Sequence, residues 1–243
     1  MKIGIMSDIH ANAVALEAVL KDMKSIMPDM IIFLGDLLFN GPSPKETYDL
    51  LKDAQPTVWI RGNTDDWLNE IVTGWEPSSE IEKYCYTLFS YAIPKLNNDD
   101  IGMMKNIPLT ISLSFDDTHI LCVHGSPRSY SESMDFSVPD EKVKEMLYGV
   151  EETNILCGHI HNPFERHIKE KWIINVGSVG YPTDGDPRAA YGVLEIKKSG
   201  QSKYILKRVE YDIDENIRLA KLNDFPFAEK YENIIRKAHE RKK

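Results

Sequence analysis

The sequence predicts an α/β protein in which two β-sheets share one core. Three observations carry that prediction. The first sixty residues alternate short apolar runs with amphipathic helical periods, a strand-free stretch follows, and a second series of apolar strands then resumes. Neither an internal repeat nor a low-complexity linker separates the two series, so the whole chain, 1–243, is expected to form a single domain.

Residues 2–7 (KIGIMS) read as a buried strand. Over 13–26, Val14, Leu16, Val19, Leu20 and Met23 recur at helical spacing. The apolar run MIIFL at 30–34 ends at Gly35-Asp36. After the turn-rich NGPSP, residues 45–54 read as a helix that leads to a strand at 57–60. Right-handed crossovers make such a βαβαβ opening a parallel sheet. Residues 65–107 contain no convincing strand; Trp67-Leu68, Ile71-Val72 and the stretch 80–96 suggest helices, with a break at Pro94. This segment is expected to be a helical insertion or cap over one edge. Strands resume at 111–115, 119–123, 154–157, 172–176, 190–196 and 204–210, and 138–149 is helical by period. Residues 212–243 are assigned to C-terminal helices, divided by Pro226.

Composition narrows the class of function. With 42% hydrophobic and 28% charged residues the chain is an ordinary globular protein. A formal charge of -9 argues against non-specific nucleic-acid binding, which relies on a basic surface. It leaves a phosphate-bearing substrate open, because bound metal ions supply local positive charge. Cys85, Cys122 and Cys157 have no paired spacing and read as buried free thiols in a reducing compartment. No apolar run approaches the length of a membrane span, and polar residues interrupt the N-terminus where a signal peptide would be continuous. The expected location is cytoplasmic.

The informative pattern is where metal-capable side chains fall. Asp8 and His10 follow the first strand, Asp36 the second and Asn63 the third; His124 follows ILCV, and His159 and His161 follow ILC. In open α/β sheets ligands bind beyond the carboxyl ends of strands, so these residues point to one place. Singly the signals are weak. Asp-x-His is common, Gly-Asp after an apolar run is often only a turn, and Gly-His-x-His could be a satisfied pair in the core. The ordered set is far more specific, and it takes in four of the seven histidines; His119, His167 and His239 are assigned to structure or surface. Imidazole, carboxylate and amide oxygen without cysteine suit manganese, iron or zinc at a reactive centre better than a structural zinc.

At these residues the chain resembles the calcineurin-like metallophosphoesterase superfamily. The resemblance runs through SDIH (Ser7, Asp8, Ile9, His10), GD at Asp36, GN at Asn63, VHG at His124 and GHIH ending at His161, over roughly the first 180 residues. GDLLFNGPSP at 35–44 and the stretch at 175–195 are similar to a bacterial subfamily. The resemblance implies a four-layer αββα sandwich with two mixed sheets and a dinuclear site at the strand C-terminal ends. By the same resemblance Asp8, His10, Asp36 and His161 hold one divalent ion. Asp36, Asn63, His124 and His159 hold the other, with Asp36 bridging. Asp36, Asn63 and His124 are the members expected to serve catalysis directly. The implied cofactors are two divalent ions, manganese first, with iron, zinc, nickel or cobalt as alternatives. Asn12, Thr64, Arg128 and Arg188 are candidate substrate contacts, although a surface or loop-bracing role stands slightly ahead for both arginines.

One departure bears on chemistry. The superfamily's usual Gly-Asn-His-Asp reads Gly62-Asn63-Thr64-Asp65 here. That histidine usually protonates the leaving oxygen, and a threonine hydroxyl does not titrate near neutral pH. The expected reaction is attack by a metal-bridging hydroxide on phosphodiesters or nucleotide anhydrides: anhydrides and activated esters need less help at the departing group, and the resemblance extends to relatives without this histidine that behave as phosphodiesterases. A phosphomonoesterase or protein phosphatase of the same superfamily is the close alternative. A non-catalytic metal-binding scaffold for protein partners is the alternative of another class, disfavoured because every ligand position is filled. The expected partner is a small phosphorylated substrate, a nucleotide among the candidates, and a homo-oligomer is compatible with the surface. Of the aromatics at 65–107, most are assigned to packing over base stacking, because their spacing is helical.

Overall fold

The computed structural model describes residues 1–71, 74–197 and 202–239. The opening is β1 (Lys2–Met6), α1 (Ala13–Ile26), β2 (Met30–Phe33), α2 (Pro44–Asp53) and β3 (Val58–Trp59). Three helices follow: α3 (Trp67–Glu70), α4 (Glu80–Ala92), which runs on into one 3₁₀ turn at Ile93–Lys95, and α5 (Asn98–Lys105). The second half contains β4 (Thr110–Phe115), β5 (Thr118–Val123), α6 (Asp140–Met146), β6 (Asn154–Cys157), β7 (Phe164–Ile168) and β8 (Lys171–Asn175). It ends with β9 (Ala189–Ile196), β10 (Ser202–Val209), α7 (Ile213–Leu222) and α8 (Ala228–Lys237).

Side-chain alternation sets the layers. In β1, Ile3 and Ile5 face one way and Met6 the other, and all three are fully buried. Ile3 and Ile5 join Ile32, Val58 and Leu194 against Ile120, Cys122, Leu156 and Ile174 of the second sheet. Full burial of such a side chain contributes about 1.5–3 kcal/mol, so this face-to-face seam is a main source of stability. On the outer side of the first sheet, Met6 and Phe33 pack under Leu16, Val19 and Met23 of α1. Beyond the second sheet, Leu121, Ile155 and Ile173 pack under Val143 and Met146 of α6. Helix, sheet, sheet and helix make the four layers.

Both sheets are mixed and five-stranded. The first has the order β10-β9-β1-β2-β3, parallel from β1 to β3 and antiparallel at β9 and β10. The second has the order β4-β5-β6-β8-β7, with β5, β6 and β8 parallel. Sequence reasoning passed over β7. Its FERHI sequence carries charge at Glu165 and Arg166, but it is an edge strand whose hairpin with β8 places His167 flat against Trp172 at 5.6 Å. Arg166 is buried and donates to the carbonyl oxygens of Met134 and Val138, at 3.1 and 2.9 Å. Of the expected Ile71-Val72 helix, Ile71 ends α3 with an extended ψ of 94° and Val72 lies outside the described residues, as does the tail at 240–243. Cys122 and Cys157 are buried free thiols, and Cys85 is half-buried on α4.

The 65–107 helices lie on the helix side of the first sheet. Leu68, Ala92, Leu96 and Met104 enter the cluster that holds Leu38 and Phe39, while Leu88 packs with Tyr231 and Ile235 of α8. Among the described residues no helix is long and apolar enough to cross a membrane.

Candidate metal centre

β1, β2 and β3 point the same way, so the loops at 7–12, 34–40 and 60–66 leave the same end of their sheet. Backbone hydrogen bonds join these loops to one another and to the second sheet. The N–H groups of Asp8, His10 and Ala11 donate to the carbonyls of Gly35, Asp36 and Leu37 at 2.9, 3.0 and 2.7 Å. Gly158 N–H donates to His124 O at 2.8 Å, and Gly180 N–H to Asp8 O at 3.1 Å. Asp8, His10, Asp36, His159 and His161 all adopt positive φ, between 50° and 72°. Such a conformation costs a non-glycine residue on the order of 1–3 kcal/mol, and it aims each side chain inward from a strand end. Two glycines make room. A Cβ at Gly62 would collide with the Asp36 carboxylate, and one at Gly158 with Ser7 Oγ and, at 2.5 Å, Asp8 Oδ2.

All seven residues singled out in the sequence converge. Three imidazoles are oriented by backbone carbonyls at Nδ1: His10 by Phe39 at 3.0 Å, His124 by Leu34 at 2.7 Å and His161 by Tyr181 at 2.6 Å. A carbonyl accepts, so Nδ1 carries a proton and each ring turns its Nε2 inward, where a bound metal would take the lone pair. His10 Nε2 and His161 Nε2 lie 3.0 Å apart, and Asp8 Oδ1 is 3.1 Å from His161 Nε2. Asp36 Oδ2 stands 3.7 Å from His10 Nε2 and 3.6 Å from His124 Nε2, between the two groups. On its far side, Asn63 Oδ1 is 3.0 Å from His124 Nε2 and 2.8 Å from His159 Nδ1. Two sets, Asp8-His10-His161 and Asp8-Asp36-His124, each keep one donor atom per residue within 4.8 Å of one another. Asp8 Oδ1 is buried with no hydrogen-bond partner. Converging Nε2 atoms and an orphaned carboxylate oxygen fit a divalent cation.

The electrostatics agree. Burial opposes ionisation of Asp36, yet His124 and His10 hold its carboxyl down at about 2, and Asp8 is held well below the usual carboxylate range against the same penalty. Burial likewise opposes charge on His124, but the Asp36 and Asp8 carboxylates lift it to about 10. Two ionised carboxylates draw positive charge into this volume, and without a metal a proton on His124 supplies it.

Asp65 and Thr64 support Asp36. The Asp65 carboxylate accepts from the N–H groups of Asp36, Leu37 and Gly62 at 2.8, 2.9 and 3.0 Å. Burial and the nearby Asp36 raise its pKa to about 6. Thr64 N–H donates to Asp36 Oδ1 at 2.9 Å, which leaves Oδ2 for the centre. The Thr64 hydroxyl is buried without a hydrogen-bond partner.

The other sequence candidates lie outside the cluster. Asn12 caps α1 by accepting from Ala15 N–H and donates to Gly180 O, both at 3.0 Å. Arg128 grips Glu132, and Arg188 grips Asp186, each on the surface. Tyr130 donates to Glu70 at 3.2 Å. Sequence reasoning gave no role to Tyr181, which is buried with its ring edge-on to His10 and His161 at 5.5 and 5.6 Å. Its signal was its place in the 175–195 stretch, after β8. A cleft of about 1370 Å³ adjoins the cluster at His159, walled by α4 and α8.

Residues 1–199 match the calcineurin-like phosphoesterase superfamily domain. The chain is 30% identical over 226 residues to the uncharacterised protein MJ0912 of Methanocaldococcus jannaschii, covering 87% of this chain and 88% of that protein. It is 24% identical over 208 residues to the phosphodiesterase YfcE of Escherichia coli, covering 80% and 88%. The crystal structure of a metallophosphoesterase from Sphaerobacter thermophilus superposes with a TM-score of 0.79 at 26% identity, over 98% of this chain and 99% of that one.

Proposed function

The chain belongs to the calcineurin-like phosphoesterase superfamily and is a phosphoric ester hydrolase, and from that premise we propose that it cleaves phosphodiester or nucleotide-anhydride bonds of small molecules at a dinuclear centre. The observation that carries this reading is the donor set: three imidazoles with Nδ1 on backbone carbonyls, meeting two buried carboxylates and an amide oxygen. Asp8, His10, Asp36 and His161 would hold one ion. Asp36, Asn63, His124 and His159 would hold the second, and manganese suits such a mixture of nitrogen and oxygen donors. When bound, the pair supplies positive charge for the phosphoryl oxygens and a water of lowered pKa.

The protein's own part is to orient and to neutralise. Asp65 and Thr64 fix the Asp36 carboxylate, and the loop stitching fixes Asp8 and His10. In the overall reaction water adds to phosphorus and the bond to the departing oxygen breaks, giving a phosphate monoester and an alcohol, or two phosphates from an anhydride. The departing oxygen needs a proton only if it leaves as an alkoxide. General-acid help at that point is worth about 10²–10⁴ in rate, and the hydroxyl at Thr64 has no ready proton to supply. This favours departing groups that are stable as anions. YfcE, a relative named a phosphodiesterase, supports the diester reading.

The test is a hydrolysis panel of monoesters, diesters, cyclic nucleotides and dinucleoside polyphosphates with added Mn²⁺. Diesters or anhydrides should turn over fastest, and Asp36→Asn should abolish turnover. Full activity after complete chelation would overturn the proposal.

A further inference from the structure

Asp8 and His161 come from different sheets: Asp8 follows β1 of the first, and His161 follows β6 of the second. Each sits on a left-handed backbone, at φ 54° and 61°. Their inward atoms nevertheless meet, with Asp8 Oδ1 3.1 Å from His161 Nε2. Strand pairing registers neither loop on the other, because no strand pair joins β1 to β6.

The loop at 177–181, which follows β8, makes that connection. Val179 N–H donates to Ser7 O at 3.0 Å and Gly180 N–H to Asp8 O at 3.1 Å, so the loop lies along the one that bears Asp8. At its far end the Tyr181 carbonyl accepts from His161 Nδ1 at 2.6 Å. Ser178, fully buried, joins the two ends. Its Oγ accepts from Tyr181 N–H and donates to Asp8 O, each at 2.7 Å. Serine is the smallest side chain that can accept and donate at once, which is what this position uses. The contacts run from Asp8 through Ser178 and Tyr181 to His161 and close back on Asp8. None of these links involves Asn63, His124 or His159.

We infer that Ser178 is a positioning residue for one ion of the pair: its hydroxyl sets Asp8 against His161 and leaves the side built from Asn63, His124 and His159 alone. This rests on the dinuclear reading of the centre. Ser178 touches no reacting atom and acts only through two ligands. Hydrogen-bond partners that orient ligands typically carry about 10–100-fold in metal affinity.

The experiment is calorimetric titration of the metal-free protein with Mn²⁺, in wild type, Asn63→Ala and Ser178→Ala. Asn63→Ala tells the ions apart, because the ion it spares is the one among Asp8, His10 and His161. Ser178→Ala should weaken that ion about 10–100-fold and leave the other within about threefold. Asn154→Ala is the control: it removes a buried amide that donates to His119 O at 3.0 Å, at the end of β6 remote from the centre, and should change neither ion. Ser178→Cys, whose thiol donates and accepts weakly, should lie between wild type and alanine, and it serves in place of alanine if that variant does not fold. Weakening of both ions alike, of only the ion that Asn63→Ala weakens, or of neither would overturn the inference. So would a wild type that takes up no Mn²⁺. In hydrolysis, the Mn²⁺ concentration for half-maximal rate should rise in Ser178→Ala while kcat at saturating Mn²⁺ stays near the wild-type value. A wild type that binds Mn²⁺ yet hydrolyses nothing would defeat the hydrolytic reading, and the titration would still decide the role of Ser178.

Discussion

Asp65 now has an assignment that the motif alone withheld. Without the neighbouring imidazole that it orients elsewhere in the superfamily, it accepts three backbone N–H groups and so clamps the loop bearing Asp36 to the loop bearing Asn63. Hydrogen bonds to a charged group are worth about 1.5–3 kcal/mol each before compensation. Asp65→Ala should therefore destabilise the protein by about 3–5 kcal/mol in urea denaturation, because three buried donors are left unpaired. Asp65→Asn, which keeps one acceptor oxygen, should cost less. Thr64 allows a complementary gain of function. Thr64→His restores a titratable group beside Asp36, and the rate ratio of β-glycerophosphate to bis(p-nitrophenyl) phosphate hydrolysis should rise at least about tenfold. An unchanged ratio, with bound metal retained, would show that position 64 does not govern the departing group.

At the level of elements, the C-terminal helices support the centre from behind. Tyr231 of α8 donates no contact to the cluster itself; its ring lies 6.2 Å from Tyr181, which in turn abuts His10 and His161. Its hydroxyl accepts from Asn216 of α7 at 2.8 Å, which ties the two helices together. Tyr231→Ala should cost about 3–5 kcal/mol of stability, as truncation of a buried aromatic does. It should also weaken binding of the ion proposed to sit among Asp8, His10 and His161, measured by competition with a chromophoric chelator. Tyr231→Phe should keep the affinity and lose only about 0.5–1.5 kcal/mol. These supports were not legible in the sequence, because α8 lies some fifty residues beyond Tyr181 and only packing brings them together. The strand-end residues were legible, since apolar runs that stop at Asp, Asn or His mark both a strand and side chains that converge beyond its end. β7 was not, because an edge strand has one solvated side and its FERHI sequence breaks alternation with charge. The aromatics of 65–107 followed their helical spacing: Trp67 and Phe89 pack on Phe39, and Tyr91 packs on Phe225.

For the whole molecule, metal and fold form one equilibrium. An ion at 100 times its Kd adds about 2.7 kcal/mol of stability, which for a chain of this size raises Tm by roughly 5–10 °C. Chelation should remove that increment, and scanning calorimetry would register it; an unchanged Tm would argue against a bound ion in the starting protein. The metal-free protein should also show its own pH dependence. His124, raised from 6.5 to about 10, contributes stability that is complete below 6.5 and is lost as pH climbs through about 10. Asp36, lowered to about 2, contributes stability present above its ordinary value of 3.8 and lost as pH falls through about 2. The chelated protein should weaken in both directions, and its alkaline limb should flatten when metal replaces the proton. The left-handed backbone at Asp8, His10, Asp36, His159 and His161 has a further, historical consequence. Glycine would occupy those positions with less strain, so a lineage released from selection for hydrolysis would gain stability by erasing its own ligands. Five of the seven candidate ligands keep that uncomfortable backbone, as a chain still selected for hydrolysis would.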